Sequence, residues 1–141
     1  MDLKPILKKM IDSNASDLHL KVGTPPTLRI NGELKPMEMD KLSKEGVRIA
    51  ASSLMTKKQQ EAFLKEKEAD FGIGIPGISR FRVNIYIQRG SIALAIRPIS
   101  REIKTIQELS LPPILNELAF ASRGLILVTG TTGSGKSTVS R

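Results

Sequence analysis

The sequence predicts an α+β fold, a mainly antiparallel sheet with flanking helices, followed by the start of a parallel α/β domain. Three observations predict it. Residues 17–22 and 80–97 alternate apolar and polar side chains, the pattern of half-buried strands, and Asn31-Gly32 and Arg89-Gly90 are tight turns beside such stretches. Apolar residues recur at helical spacing at the start of the chain and again between residues 47 and 54. Leu125-Ile126-Leu127-Val128 is an unbroken apolar run, which reads as a buried parallel strand, and a glycine-rich loop follows it.

The elements follow in order. Asp2 can cap a first helix whose apolar stripe is Leu3, Ile6, Leu7, Met10 and Ile11. Ser13-Asn14-Ala15-Ser16 ends it. Leu18, Leu20 and Val22 then face a core, which leaves His19 as an outward strand residue with no catalytic part. Gly23-Thr24-Pro25-Pro26 turns the chain, Leu28 and Ile30 continue the alternation, and residues 33–39 return from the Asn31-Gly32 turn. Val47, Ala50, Ala51 and Leu54 give the next helix a small-residue face, and Thr56 with Gln59 forms a capping box for another, running to about Glu66. Residues 70–75 read as a strand weakened by glycine.

The last hairpin is the most informative. Phe81, Val83, Ile85 and Ile87 point one way, and Arg80, Arg82, Asn84, Tyr86 and Gln88 the other. Across the Arg89-Gly90 turn, Ile87 faces Ile92, Ile85 faces Leu94 and Val83 faces Ile96, a register that matches apolar to apolar throughout. The same register sets Arg82 directly opposite Arg97. Like charges so placed repel and need a counter-ion, either a carboxylate such as Glu68 or Asp70 or a bound anion. Pro98 is expected to end the sheet. Residues 101–110 read as a linker, and Ser110-Leu111-Pro112-Pro113 opens a short helix with Ile114, Leu115 and Leu118 as its stripe. The sheet is expected to hold roughly three to six strands.

Composition narrows the function classes. A length of 141 residues with 40% apolar residues suits one domain of ordinary size. No apolar run is long enough for a transmembrane helix, and Met1-Asp2-Leu3-Lys4-Pro5 lacks the apolar core of a signal peptide. The absence of cysteine removes disulfides and thiolate metal sites and suits a reducing, cytoplasmic setting. The net charge is +8, but the lysines are scattered and aromatics are only 4% of residues. A solvated surface accounts for that charge, and nucleic-acid binding is not expected.

The chemistry is carried by Gly130-Thr131-Thr132-Gly133-Ser134-Gly135-Lys136-Ser137, followed by Thr138. These residues fill every fixed position of G-x-x-x-x-G-K-[ST]. Glycines let backbone N–H groups approach phosphate oxygens, Lys136 is a point charge for the outer phosphates, and the Ser137 hydroxyl is a ligand for Mg²⁺. From average composition, chance produces the pattern in roughly one chain in a few hundred of this length. A phosphate-binding loop between a strand and a helix start is therefore the reading, with a nucleotide and Mg²⁺ as the implied ligands. The Mg²⁺-binding acid and the water-positioning residue that hydrolysis needs are not found after Thr138, so the chain reads as an N-terminal portion that binds or docks and does not hydrolyse ATP by itself.

Taken jointly, several stretches resemble a family: Ser16-Asp17-Leu18-His19-Leu20, Gly23-x-Pro25-Pro26, Arg29-Ile30-Asn31-Gly32, Arg80-Phe81-Arg82-Val83-Asn84, and Arg123-Gly124 running into Leu125-Ile126-Leu127-Val128-Thr129-Gly130. In this order they look like the type IV pilus retraction, or twitching-motility, ATPases of the PilT and PilU type, within the secretion ATPase superfamily. The resemblance implies a PAS-like N-terminal domain over residues 1–100, a linker over 101–110, and the start of a RecA-like ATPase domain over 111–141. It implies a homo-hexamer that drives pilus retraction at the cytoplasmic face of the inner membrane, with an inner-membrane platform protein as partner. It also implies that Arg82 and Arg97 reach the γ-phosphate, alongside Lys136. A secretion or pilus-assembly ATPase of the same superfamily, or a non-catalytic oligomerisation module, is the alternative.

Overall fold

The computed structural model describes residues 2–99, 105–130 and 139. The chain forms two compact units, residues 1–100 and 101–141.

The first unit begins with α1 (Lys4–Asp12), whose Ile6, Leu7 and Met10 are buried. The helix starts with Leu3 at the cap position, and the Lys4 N–H donates to the Asp2 carboxylate at 3.0 Å, so Asp2 serves the first turn from one residue further out than expected. Three short strands follow, β1 (Asp17–Lys21), β2 (Thr27–Ile30) and β3 (Glu33–Pro36). Asn31 and Gly32, at φ 50° and 84°, make the β2–β3 turn, since two successive positive φ values match the twist of the strands they join. The β3 strand stops short of the expected residue 39, because the Met39 N–H turns back to the Met37 carbonyl at 2.8 Å.

Two helices and a long hairpin complete the unit. In α2 (Lys44–Leu54), the Ser43 side chain accepts from the Gly46 N–H, and Val47, Ala50 and Ala51 are buried. In α3 (Lys57–Glu66), both arms of the Thr56–Gln59 capping box form, and Phe63 is buried. Next come β4 (Glu68–Ile75), β5 (Ser79–Gln88) and β6 (Ser91–Ile99).

All six strands join one antiparallel sheet in the order β3-β2-β1-β6-β5-β4. The β5–β6 register is the expected one, with Ile87 on Ile92, Ile85 on Leu94, Val83 on Ile96 and Arg82 on Arg97. The β1–β6 pairing, Leu18 on Ile96 to Lys21 on Ala93, joins the two halves of the sheet. Phe81, Val83, Ile85, Leu18, Leu20, Leu94 and Ile96 share one core cluster with the buried residues of all three helices. Helix α1 packs on β1, α2 on β6 and α3 on β4, so the helices cover one sheet face. The opposite face carries the polar set: Asp17, His19, Lys21, Arg29, Arg97, Arg82, Asn84 and Asp70.

Pro98 does not end the sheet. It lies inside β6, opposite Phe81. At that level β1 has run out, because its last partner on β6 in this direction is Ile96, so a missing N–H on that side leaves no ladder bond unmade.

The second unit contains α4 (Ile114–Ala119), with Pro113 at its cap and no buried residue. Leu125 to Val128 form no strand. Their exposures run from 82% for Leu125 to 41% for Val128, so the run that reads as a buried strand is neither paired nor packed among the described residues. A parallel strand needs hydrogen-bonded neighbours and cover on both faces, and no described residue pairs with this segment.

Candidate functional site

The polar sheet face is where the structure brings charged groups together. The ladders set Arg29 opposite Asp17 and Arg82 opposite Arg97, with Gly72 on the far side of Arg82. Five charged side chains from five strands thus form a row: Arg29, Asp17, Arg97, Arg82 and, two residues along β4 from Gly72, Asp70.

Asp17 is the centre of one half. It is the one buried charged residue among the described residues. Its Oδ1 accepts from Arg97 Nε at 3.0 Å and Nη2 at 2.8 Å, and its Oδ2 accepts from Ser16 Oγ at 2.9 Å, with Arg29 Nε 3.5 Å away. Burial pushes the Asp17 carboxyl up. The hydrogen bonds from Arg97 and Ser16, with the Arg97 and His19 charges, outweigh burial and hold it below the ordinary carboxylate range. Asp70 is the centre of the other half. Arg82 Nε meets its Oδ1 at 3.0 Å and Nη2 meets its Oδ2 at 2.8 Å, a two-point clasp that lowers the Asp70 pKa. Glu68 instead accepts from Asn84 Nδ2 at 3.0 Å. Both arginines therefore have carboxylate counter-ions, one of them foreseen from sequence and the other not. Asp17 went unseen because it lies 80 residues before Arg97. The alternation that turns Asp17 toward the polar face was the available signal.

His19 sits beside this row, opposite Thr27 and Ala95. It is on the outward face as expected, yet its Nε2 is buried and meets no hydrogen-bond partner among the described residues. Burial lowers its pKa, the Asp17 carboxylate works against this, and the charges of Arg29, Lys21 and Arg97 add to the lowering. The unfolded chain takes up the His19 proton near pH 6.5 while the fold resists it, so stability falls as pH drops below about 6.5. Asp17 adds a second loss lower down: its contribution is complete above about pH 4 and disappears as pH falls through its depressed folded value. Urea midpoints measured from pH 7 to 3 should show both limbs. His19→Gln should remove the upper limb alone, and an unchanged upper limb in that variant refutes the assignment.

Of the glycine-rich loop, Gly130 is described, at φ 156°. Thr131, Thr132, Gly133, Ser134, Gly135, Lys136, Ser137 and Thr138 lie outside the described residues. Among the described residues, no helix is long and apolar enough to cross a membrane, and no cluster of side chains suits a metal ion.

No protein-family model matches the chain. The chain is a homologue of the type IV pilus ATPases, as the resemblance implied. Its particular relatives include the type IV pilus ATPase PilU of Pseudomonas aeruginosa, 38% identical over 138 residues, which are 98% of this chain and 36% of the relative. The type IV pilus retraction ATPase PilT of the same organism is 36% identical over 98% of this chain and 40% of its own length. A crystal structure of the pilus retraction motor PilT with bound ADP superposes with a TM-score of 0.86 at 40% identity, covering 99% of this chain and 41% of that one. The chain thus spans about two-fifths of the length of the relatives it matches.

Proposed function

We propose that the chain is part of a hexameric motor ATPase that drives type IV pilus retraction. The observation that carries this is the alignment of nearly the whole chain with PilU and PilT, joined to the complete phosphate-loop pattern of Gly130 to Ser137. In this reading residues 1–100 are a PAS-like domain, 101–110 a linker, and 111–141 the start of a RecA-like ATPase domain. The motor works at the cytoplasmic face of the inner membrane, docked on a platform protein.

The site chemistry is assigned accordingly. Gly130, Thr131, Thr132, Gly133, Ser134, Gly135 and Thr138 supply the loop around the phosphates of ATP, Lys136 neutralises the outer phosphates, and Ser137 holds Mg²⁺. Mg²⁺ supplies charge neutralisation on the phosphates when bound. Arg82 and Arg97 reach the γ-phosphate. What supports them is donor chemistry: two guanidinium forks side by side, with side chains 67% and 69% exposed, on one open sheet face. Arginine's planar fork suits phosphate and keeps its charge at any physiological pH.

The test is ATP hydrolysis by the complete protein, together with pilus retraction in cells carrying it. Lys136→Ala is expected to abolish both. Sustained hydrolysis in that variant rejects the loop assignment, and normal retraction without the protein rejects the motor role.

A further inference from the structure

The two arginines are not equivalent, because their carboxylates are not. Asp17 is buried, with its side chain 12% exposed, and is held by Ser16 and by Arg29 as well as by Arg97. Asp70 is 40% exposed, lies on the edge strand β4, and is clasped by Arg82. The β4 residue opposite Arg82 is Gly72, which puts no side chain over the path between Arg82 and Asp70.

We infer that Asp70 is a releasable clamp on Arg82, whereas Asp17 is a permanent mount for Arg97. The inference rests on the reading that both arginines take phosphate, and it assigns positioning roles to two carboxylates. The physical difference is desolvation. Taking Arg97 from Asp17 removes the main partner of a buried carboxylate, which is strongly unfavourable. Arg97 therefore stays. It uses Nε and Nη2 on one Asp17 oxygen, and its Nη1 makes no hydrogen bond among the described residues, so that edge of the fork is open to an anion. Arg82 differs because an exposed ion pair is weakly held. A phosphate carries more charge than a carboxylate and offers three acceptor oxygens. Arg82 thus exchanges Asp70 for the γ-phosphate and returns to Asp70 when that phosphate leaves. In the phosphate-free state Asp70 keeps Arg82 ordered and competes with the nucleotide for it.

The competition sets an unusual expectation: removing the clamp improves binding. In the complete protein, Asp70→Asn should lower the KM for ATP, and the Kd of a non-hydrolysable ATP analogue, by about 1.4- to 5-fold, the range of an exposed ion pair. The kcat should not fall. Asp17→Asn should instead raise KM, and Glu68→Gln, on the same strand but bonded to Asn84, should leave KM unchanged. Asp70→Ser serves if the asparagine variant fails to fold. A KM that is unchanged or raised in the Asp70 variant, while Arg82→Ala is impaired, overturns the clamp and leaves the phosphate reading standing. Equal gains from Asp70→Asn and Asp17→Asn overturn the asymmetry. Normal turnover in both Arg82→Ala and Arg97→Ala sinks the phosphate reading itself, and the clamp with it.

Discussion

Arg82→Ala or Arg97→Ala, made in the complete protein, should cut ATP turnover by roughly 10³- to 10⁵-fold, the effect of an arginine that stabilises the transferring phosphoryl group. The expectation begins with register. Arg82 and Arg97 stand opposite each other on neighbouring strands, on the face the helices leave open. Repulsion between them is offset by Asp70 and Asp17, so the pair can persist in the absence of an anion. What remains after that compensation is a pair of exposed guanidinium forks, each with an Nη1 that makes no hydrogen bond among the described residues. Lys57 gives the contrast. It is an exposed lysine at the start of α3, on the helix side of the sheet, and Lys57→Ala should leave turnover unchanged. Steady-state phosphate release, measured on complete protein whose assembly matches that of the unaltered protein, decides the matter. Near-normal rates in both arginine variants rule out the role.

Phe81→Ala should destabilise the first unit by about 3–5 kcal/mol. Phe81 is fully buried, and on β5 it sits between Ile73 of β4 and Pro98 of β6. Its ring lies in the core that α1, α2 and α3 share with the sheet. Truncation leaves a cavity the size of a benzene ring under the strand that carries Arg82. Since domains of this size are stable by only about 5–15 kcal/mol, the loss is a large share of the whole. Urea unfolding of the 141-residue chain measures it. Leu34→Ala, at a position 55% exposed on β3, is the control and should change stability by less than about 0.5 kcal/mol. Equal midpoints for Phe81→Ala and Leu34→Ala contradict the assigned core.

The local pattern fixed much of this by itself. Two-residue turns at Asn31-Gly32 and Arg89-Gly90 demand positive φ, and they set the pairing of the strands on either side. Because side chains alternate with a period of two, matching apolar residues across β5 and β6 left one register and one side for Arg82 and Arg97. Helix faces were legible for the same reason at a period of 3.6, and the Thr56–Gln59 box needed only residues three apart. The phosphate-loop pattern of Gly130 to Ser137 was legible as a string, since its chemistry depends on residue types at fixed local spacing.

Tertiary structure decided what depends on distant partners. No turn links β1 to β6, so sequence could not choose their pairing among many equivalent ones; burial of Leu18 and Leu20 against the shared core chooses it. That choice places Asp17 under Arg97, buries its carboxylate, and leaves His19 Nε2 without a partner among the described residues. It also ends β1 before Pro98, which is why a proline fits inside β6. The run from Leu125 to Val128 makes the converse point. Its pattern is that of a buried strand, yet it forms none, because a strand exists only where another segment pairs with it and covers it. Sequence determines which residues can share a face; the fold determines which faces meet, because hydrogen-bond partners and burial are properties of pairs.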